Sequence, residues 1–206
     1  MRDKLIIIGA SGHGKVVADI ALKLDKWKSI AFLDDDTTIK ESLGLKVIGS
    51  IADAENFKDE ADFFVAIGNN TTREKIQSEL ETRRITFATL IHPSAIIGSE
   101  VQIGAGTVVM AGAVINCCTK IGKGCIINTS SSIDHDNNIE DFVHVSPGAR
   151  IAGNVSVGKG TWLGIGSVII NNISICSDCI IGAGALVIRD IYELGTYVGV
   201  PVRKIG

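Results

Sequence analysis

The sequence predicts a chain of two parts, a Rossmann-like α/β unit followed by an all-β parallel β-helix. Two observations predict it. Every sixth residue from Ile97 to Val187 is aliphatic, at sixteen successive positions. Before that column the pattern alternates between short apolar runs and amphipathic stretches, and the first run ends in the glycine-rich turn Gly9-Ala10-Ser11-Gly12-His13-Gly14. The implied boundaries are 1–88 for the α/β domain, 89–190 for the β-helix and 191–206 for a C-terminal tail.

In the first part, Leu5 to Ile8 reads as a strand buried on both faces, Gly14 to Leu24 as a helix, Ser29 to Leu33 as a second strand and Phe63 to Ile67 as a third. Thr71 with Glu74 reads as a capping box opening a helix through Leu80. The turn after the first strand meets a helix N-terminus, where free N–H groups and the helix dipole suit a phosphate. The second strand ends in Asp34-Asp35, acceptors for a ribose or base, and the third ends at Gly68-Asn69-Asn70. These strand ends converge where open α/β sheets bind ligands. The glycine spacing is G-x-x-G-x-G rather than G-x-G-x-x-G, which disfavours a dinucleotide oxidoreductase.

In the second part, the aliphatic column runs Ile97, Ile103, Val109, Ile115, Ile121, Ile127, Ile133, Ile139, Val145, Ile151, Val157, Leu163, Ile169, Ile175, Ile181, Val187. A six-residue period fits neither a helix nor simple alternation. It fits triangular coils of eighteen residues, one inward side chain per face. The next position is often glycine, as at Gly98, Gly104 and Gly122, and the fourth is small or β-branched, as at Thr107, Ala113 and Thr119. With the phase extended to Ile91, the stack is on the order of 26 Å long. The unbroken phase leaves no room for an inserted catalytic loop, and a convex solenoid face makes a poor pocket, so a second subunit is needed for the other wall.

A net charge of −3 with scattered Lys and Arg argues against a nucleic-acid partner. No apolar stretch reaches membrane-span length, and the N-terminal aliphatic run is too short for a signal-peptide core, so a cytoplasmic location is expected. The five cysteines, including adjacent Cys117-Cys118 and the Cys176-x-x-Cys179 pair, read as reduced packing residues, with no metal expected.

One hexad departs from the pattern: Ile133-Asp134-His135-Asp136 carries no glycine and flanks a histidine with two aspartates. Imidazole accepts and releases protons near neutrality, and a carboxylate fixes its tautomer. A general base and a solvated polar turn both satisfy these residues. Eighteen-residue spacing stacks Cys117, His135 and Gly153 in one column and Ile126, His144 and Trp162 in another. Gly153 is expected to leave open space beside His135.

The order of these parts, with GASGHGK at 9–15, FLDDD at 32–36, AIGNN at 66–70, IHPSA at 91–95, NTSSSIDHD at 128–136, HVSPGARIAGNV at 144–155 and YVGVPVRKI at 197–205, resembles the hexapeptide-repeat sugar acyltransferases of the sialic acid O-acetyltransferase type. The resemblance is closest to the UDP-4-amino-sugar N-acetyltransferases. It implies a left-handed β-helix, acetyl-CoA as cosubstrate, a homotrimer and a UDP-amino-sugar acceptor. It implies His135 as general base with Asp136 raising its basicity. It assigns cofactor contacts to His144, Gly153, Ile165, Gly182, Ala183 and Gly184, with Gly199-Val200-Pro201 as a tail closing over CoA. It assigns nucleotide-sugar contacts to Ser11, Gly12, His13, Asp34, Asp35, Gly68 and Asn128. His13 stays open between a phosphate or uracil contact and a helix cap. O-acetylation of a sugar hydroxyl, such as on sialic acid, uses the same base. A non-catalytic nucleotide-sugar-binding scaffold is the alternative of another class.

Overall fold

A computed structural model describes residues 2–205. The chain divides into two compact units, one ending at Pro93 and one beginning at Ser94.

The first unit is built on a parallel sheet of three strands, β1 (Lys4–Ile8), β2 (Ser29–Leu33) and a third at Ala61–Val65, with β1 in the centre. Leu5 to Ile8 are wholly buried, as a central parallel strand covered on both faces requires. Helix α1 (Gly12–Leu24) follows β1, and a short hairpin, β3 (Glu41–Ser42) with β4 (Leu45–Lys46), follows β2. The Ala61–Val65 strand is β5, and α2 (Asn70–Thr82) comes after it. The helix cap differs from the sequence expectation. Asn69, not Thr71, is the N-cap, its side chain accepting from Thr72 N–H at 2.9 Å. Asn outranks Thr as a cap, and the helix therefore starts earlier.

The second unit is a parallel β-helix of two-residue strands. Its first face stacks Ile96–Ile97, Val114–Ile115, Ser132–Ile133, Arg150–Ile151, Val168–Ile169 and Leu186–Val187. The second runs from Gln102–Ile103 to Ser174–Ile175, and the third carries Val108–Val109, Ile126–Ile127, His144–Val145, Trp162–Leu163 and Ile180–Ile181. Partners are eighteen residues apart throughout, as the period predicts. The aliphatic column is buried from Val109 to Val187, while Ile97 and Ile103 in the first coil are only half-buried.

Two devices turn the chain at each edge of the prism. Every sixth residue from Glu100 to Gly184 has a left-handed backbone, and only seven of these fifteen are glycine; Asp136 is one of the others, at φ 58°. Asn and Asp tolerate this region better than most residues. Just after it, at three of these corners, an inward threonine ties one coil to the next. The Thr107 hydroxyl donates to Gly122 C=O at 2.7 Å and accepts from Cys125 N–H at 2.9 Å. Thr119 bridges Asp134 C=O and Asn137 N–H in the same way, at 2.8 and 3.3 Å. Thr161 bridges Cys176 C=O and Cys179 N–H at 3.0 and 3.3 Å. A backbone that turns every six residues would otherwise bury polar groups it could not satisfy.

Thr107→Val keeps the shape and removes both bonds of that bridge. It is expected to lower stability by about 1–3 kcal/mol in denaturant titration, with Thr107→Ser close to wild type.

Candidate active site

In the β-helix the site is built on the edge that follows the first face. After inward Ile133 the chain turns through Asp134, His135 and Asp136, and Asn137 points inward, 2% exposed. The turn is held from both sides. Asp134 Oδ1 accepts from Asn116 Nδ2 at 2.8 Å and from His135 N–H at 3.0 Å. Asn137 Nδ2 donates to Asp134 C=O at 2.6 Å, and its Oδ1 accepts from Val155 N–H at 2.8 Å in the next coil. Asn154 N–H donates to His135 C=O at 3.0 Å.

The imidazole is fixed by two neighbours. Its Nδ1 lies 2.7 Å from Asp136 Oδ2, a contact brought about by the left-handed backbone at Asp136. Its other side lies over Gly153, where a Cβ would stand 2.7 Å from Cε1 and 2.8 Å from Nε2. This corrects the expectation of open space beside His135. The glycine makes room for the ring itself. With Nδ1 committed to the carboxylate, Nε2 is the nitrogen left to exchange protons. Hydrogen bonding to Asp136 raises the His135 pKa above its usual 6.5, with the charges of Asp134 and Asp136 adding to it against partial desolvation. Asp134 is held below the usual carboxylate range by the Asn116 amide and then by the His135 N–H.

A second group forms elsewhere on the prism. His144, on the third face, stacks with Trp162 at 5.8 Å between ring centroids and 9° between planes. Its Nε2 lies 3.2 Å from Asn128 Nδ2, and Trp162 Nε1 donates to Ser146 Oγ at 2.6 Å. Asn128, Ile165, Gly182, Ala183 and Gly184 follow the third face on its next edge, and Ile165 is 62% exposed. The predicted cofactor residues are therefore not gathered by one chain. Gly153 sits with His135 on one edge, and Ile165 with the Gly182–Gly184 turn sits on another, across the first face.

In the first unit, the predicted nucleotide residues do share one edge of the sheet. Gly9 has φ 99°, and a Cβ on Gly14 would overlap Gly9 C=O, so these two glycines shape the turn. Gly12 and Gly68 differ: a Cβ on either would meet nothing within 4 Å. Their backbones face open space, which a bound group can enter. Asp34 is tied into the turn, its Oδ2 accepting from Ala10 N–H at 2.7 Å and its Oδ1 from Asp36 N–H at 2.9 Å. Asp35 Oδ1 accepts from Ile51 N–H at 2.9 Å. Ser11 is the α1 N-cap, without a side-chain cap bond.

Sequence reasoning missed Arg73. It is wholly buried, donating to Ile67 C=O at 2.9 Å, Gly68 C=O at 3.1 Å and Asn70 Oδ1 at 2.8 Å. Burial, then the Arg73 charge, pulls His13 down to about 4. His13 is thus neutral at physiological pH, and its buried Nε2 has no hydrogen-bond partner among the described residues. The only signal in the sequence was an arginine one residue before Glu74, where a helix surface was expected.

All five cysteines are free thiols. Cys176 and Cys179 sulfurs lie 3.4 Å apart, and burial with the neighbouring thiol pushes Cys179 up to about 12. Among the described residues no cluster of His, Cys, Asp and Glu is placed to hold a metal, and no helix is long and apolar enough to cross a membrane.

This coiled prism, with a histidine–carboxylate pair on one edge and a preceding α/β unit, has the architecture of the hexapeptide-repeat acetyltransferase class. Residues 4–80 match the PglD N-terminal domain family. The acetyltransferase domain of PglB from Neisseria gonorrhoeae is 37% identical, with a TM-score of 0.96 over 99% of this chain and 100% of that one. Perosamine N-acetyltransferase from Caulobacter crescentus is 34% identical, with a TM-score of 0.94 over 98% of this chain and 97% of that one. UDP-N-acetylbacillosamine N-acetyltransferase of Bacillus subtilis is 39% identical over 108 residues, which span 51% of this chain and only half, 50%, of that protein. The chain belongs to the hexapeptide-repeat sugar N-acetyltransferase family that these proteins represent. The PglB domain has been crystallised with acetyl coenzyme A, and the Caulobacter enzyme, with one histidine replaced by asparagine, with CoA and GDP-perosamine.

His135 is expected to titrate above 6.5 when its ring protons are followed by NMR. Asp136→Asn removes the main cause of the shift and is expected to move the midpoint downward, with no loss of fold.

Proposed function

We propose that the chain transfers the acetyl group of acetyl-CoA to the amino group of a UDP-linked 4-amino sugar, with His135 as general base and Asp136 as the carboxylate that orients it. The observation that carries this reading is the His135 imidazole, fixed by Asp136 at Nδ1 and seated on Gly153, with Nε2 left for the acceptor. The N-acetyltransferase names of the relatives support an amine over a hydroxyl acceptor, against the sialic acid reading. Substitution of a single histidine in the Caulobacter complex agrees with a histidine base.

The chain's surface fits an acetyl-CoA cosubstrate. Trp162, Ile165 and Ile180 expose apolar surface beside the Gly182–Gly184 turn, and a Cβ on Gly184 would meet nothing within 4 Å. When bound, acetyl-CoA supplies a thioester activated toward an amine. His135 Nε2 takes a proton from the sugar nitrogen as it gains the acetyl group, and returns it to the departing thiolate. Asp136 stabilises the imidazolium in between. His144, Ile165, Gly182, Ala183 and Gly184 line the pantetheine, and Asn128, bonded to His144, faces the acceptor. In the first unit, Ser11, Gly12 and Gly68 offer open backbone to the diphosphate. Asp34 and Asp35 face the ribose or base, and neutral His13 recognises by hydrogen bond rather than by charge.

Because the His135 edge and the Ile165 edge lie on different sides of one prism, a homotrimer that sets one subunit's edge against its neighbour's completes the site. Nothing in the reaction calls for a membrane or nucleic acid, and we place the protein in the cytoplasm.

The test is CoA thiol release by the purified chain with acetyl-CoA and a panel of UDP-4-amino sugars and sialic acids. Turnover is expected on an amino sugar and lost in His135→Ala. Turnover on sialic acid alone, or turnover indifferent to His135, overturns the acceptor or the base. Gly153→Ala is expected to lower kcat by roughly 100-fold, since a Cβ there displaces the imidazole and misplacement on the order of 1 Å has that effect. Because the base acts deprotonated and its pKa is raised, kcat/KM should climb as pH rises through a value above 6.5, and Asp136→Asn should move that limb to lower pH.

A further inference from the structure

The eighteen-residue register accounts for one sulfur of the Cys176-x-x-Cys179 pair and leaves the other without a structural reason. Cys179 stands in the inward column that also holds Thr107, Cys125 and Thr161. Its thiol does what their side chains do: it donates to Glu193 C=O at 3.6 Å, as Cys125 donates to Glu140 C=O at 3.1 Å and Thr161 to Cys176 C=O at 3.0 Å. Cys176 stands three residues earlier, where the preceding coils carry Gly104, Gly122, Glu140 and Gly158. A Cβ on any of those three glycines would overlap atoms of the coil that follows. Cys176 nevertheless carries a side chain, and its sulfur lies 3.4 Å from that of Cys179.

The corner holds the two sulfurs together. The Thr161 hydroxyl donates to Cys176 C=O and accepts from Cys179 N–H at 3.3 Å, so one side chain spans both cysteines. Asp178 between them has a left-handed backbone at φ 57°, and its N–H donates to Lys159 C=O at 2.8 Å. From the other side, Cys176 N–H donates to Ile191 C=O at 2.8 Å. The two thiols differ in access. Cys179 is wholly buried and Cys176 only half-buried. Burial, then the hydrogen bond with Cys176, raises Cys179 to about 12. Cys179 therefore keeps its proton, and Cys176 is the sulfur that a reagent from solvent meets first. The pair lies on the edge after the second face, away from the His135 and Ile165 edges that the proposed trimer brings together.

We propose that Cys176 and Cys179 form a reversible redox site, which hydrogen peroxide converts to an intrachain disulfide. Cys176, as thiolate, attacks one peroxide oxygen; the O–O bond breaks, hydroxide leaves and Cys176 becomes a sulfenic acid. The Cys179 sulfur then attacks the Cys176 sulfur, the S–O bond breaks, and the oxygen leaves as water with the Cys179 proton. The thiols lose two electrons and the peroxide gains them, ending as two waters once the hydroxide takes up the Cys176 proton. The Ile191–Gly195 segment that crosses the corner stays in place. Glu193 C=O loses its thiol donor but keeps the Tyr197 hydroxyl at 2.7 Å, and Gly195 C=O keeps Ile180 N–H at 2.9 Å. A thiol reductant therefore restores the starting state. The site does not depend on the acetyl-transfer reading.

For the test, the peroxide-treated full chain is acid-quenched, blocked with N-ethylmaleimide and digested with trypsin. Digestion separates Cys176 and Cys179, in peptide 160–189, from the exposed Cys117 and Cys118, in peptide 85–120. Peptide 160–189 is expected to lose two hydrogens and take no maleimide, and to take two after dithiothreitol. In Cys179→Ser the oxidation should stop at a Cys176 sulfenic acid that dimedone traps, while in Cys176→Ser the Cys179 thiol should stay free. Thr161→Val should slow disulfide closure roughly tenfold, with Thr161→Ser close to wild type. Two maleimides on peptide 160–189, at a peroxide dose that oxidises Cys117 or Cys118, overturn the proposal. So does a wild-type Cys176 sulfenic acid that persists unresolved, or closure that is indifferent to Thr161→Val.

Discussion

The second unit depends on one constraint, the eighteen-residue register that brings each edge of the prism back over itself. Aliphatic burial alone does not impose it, because a hydrophobic interior tolerates sliding. The register is locked where the backbone turns: a left-handed residue redirects the chain, and at several corners the inward side chain after it bonds to a carbonyl and an N–H of the next coil. Thr107, Thr119 and Thr161 do this with hydroxyls, while Asn137 accepts from the next coil's Val155 N–H and donates to Asp134 C=O in its own coil. Every position on an edge is then set relative to every other by a fixed rise.

The His135 turn uses these devices for chemistry. Its left-handed residue is an aspartate, so the conformation that turns the chain also aims a carboxylate at the preceding imidazole. Its inward residue is the asparagine that clamps Asp134 C=O from within. Gly153, one coil on, yields the volume that the ring fills. Structural requirements and the proposed catalytic ones thus fall on the same few residues. The buried Arg73 plays a comparable part in the first unit, where it fixes the Gly68 turn and adds its charge to the burial that lowers the His13 pKa.

The prism was legible because its signal is repeated sixteen times, and the buried first strand because four aliphatic residues run together. The turning position was not, since glycine occupies fewer than half of the left-handed sites and conspicuous glycines such as Gly98 and Gly104 serve instead to let coils approach. His135 and Asp136 were visible as a polar, glycine-free hexad, but Gly153 was misread: spacing places residues in a column without saying which side chain occupies the space between them. The division of the predicted cofactor residues between two edges was implicit in their positions modulo eighteen. It became evident only when the faces were assigned. Arg73 gave no sign, because burial of a cation depends on carbonyls that the fold assembles around it.

The register has a consequence for how such a chain can change length. A gain or loss of eighteen residues adds or removes a whole coil and leaves every edge aligned, moving what lies beyond it by one strand spacing. A gain of six keeps the interior aliphatic yet rotates everything downstream by a third of a turn, carrying edge residues onto the neighbouring edge. A gain of twelve does the same by two thirds of a turn, and only a number that is not a multiple of six drives aliphatic residues outward. Variation in the length of the prism is therefore quantised, and beyond His135 only whole coils preserve the alignment of its edge.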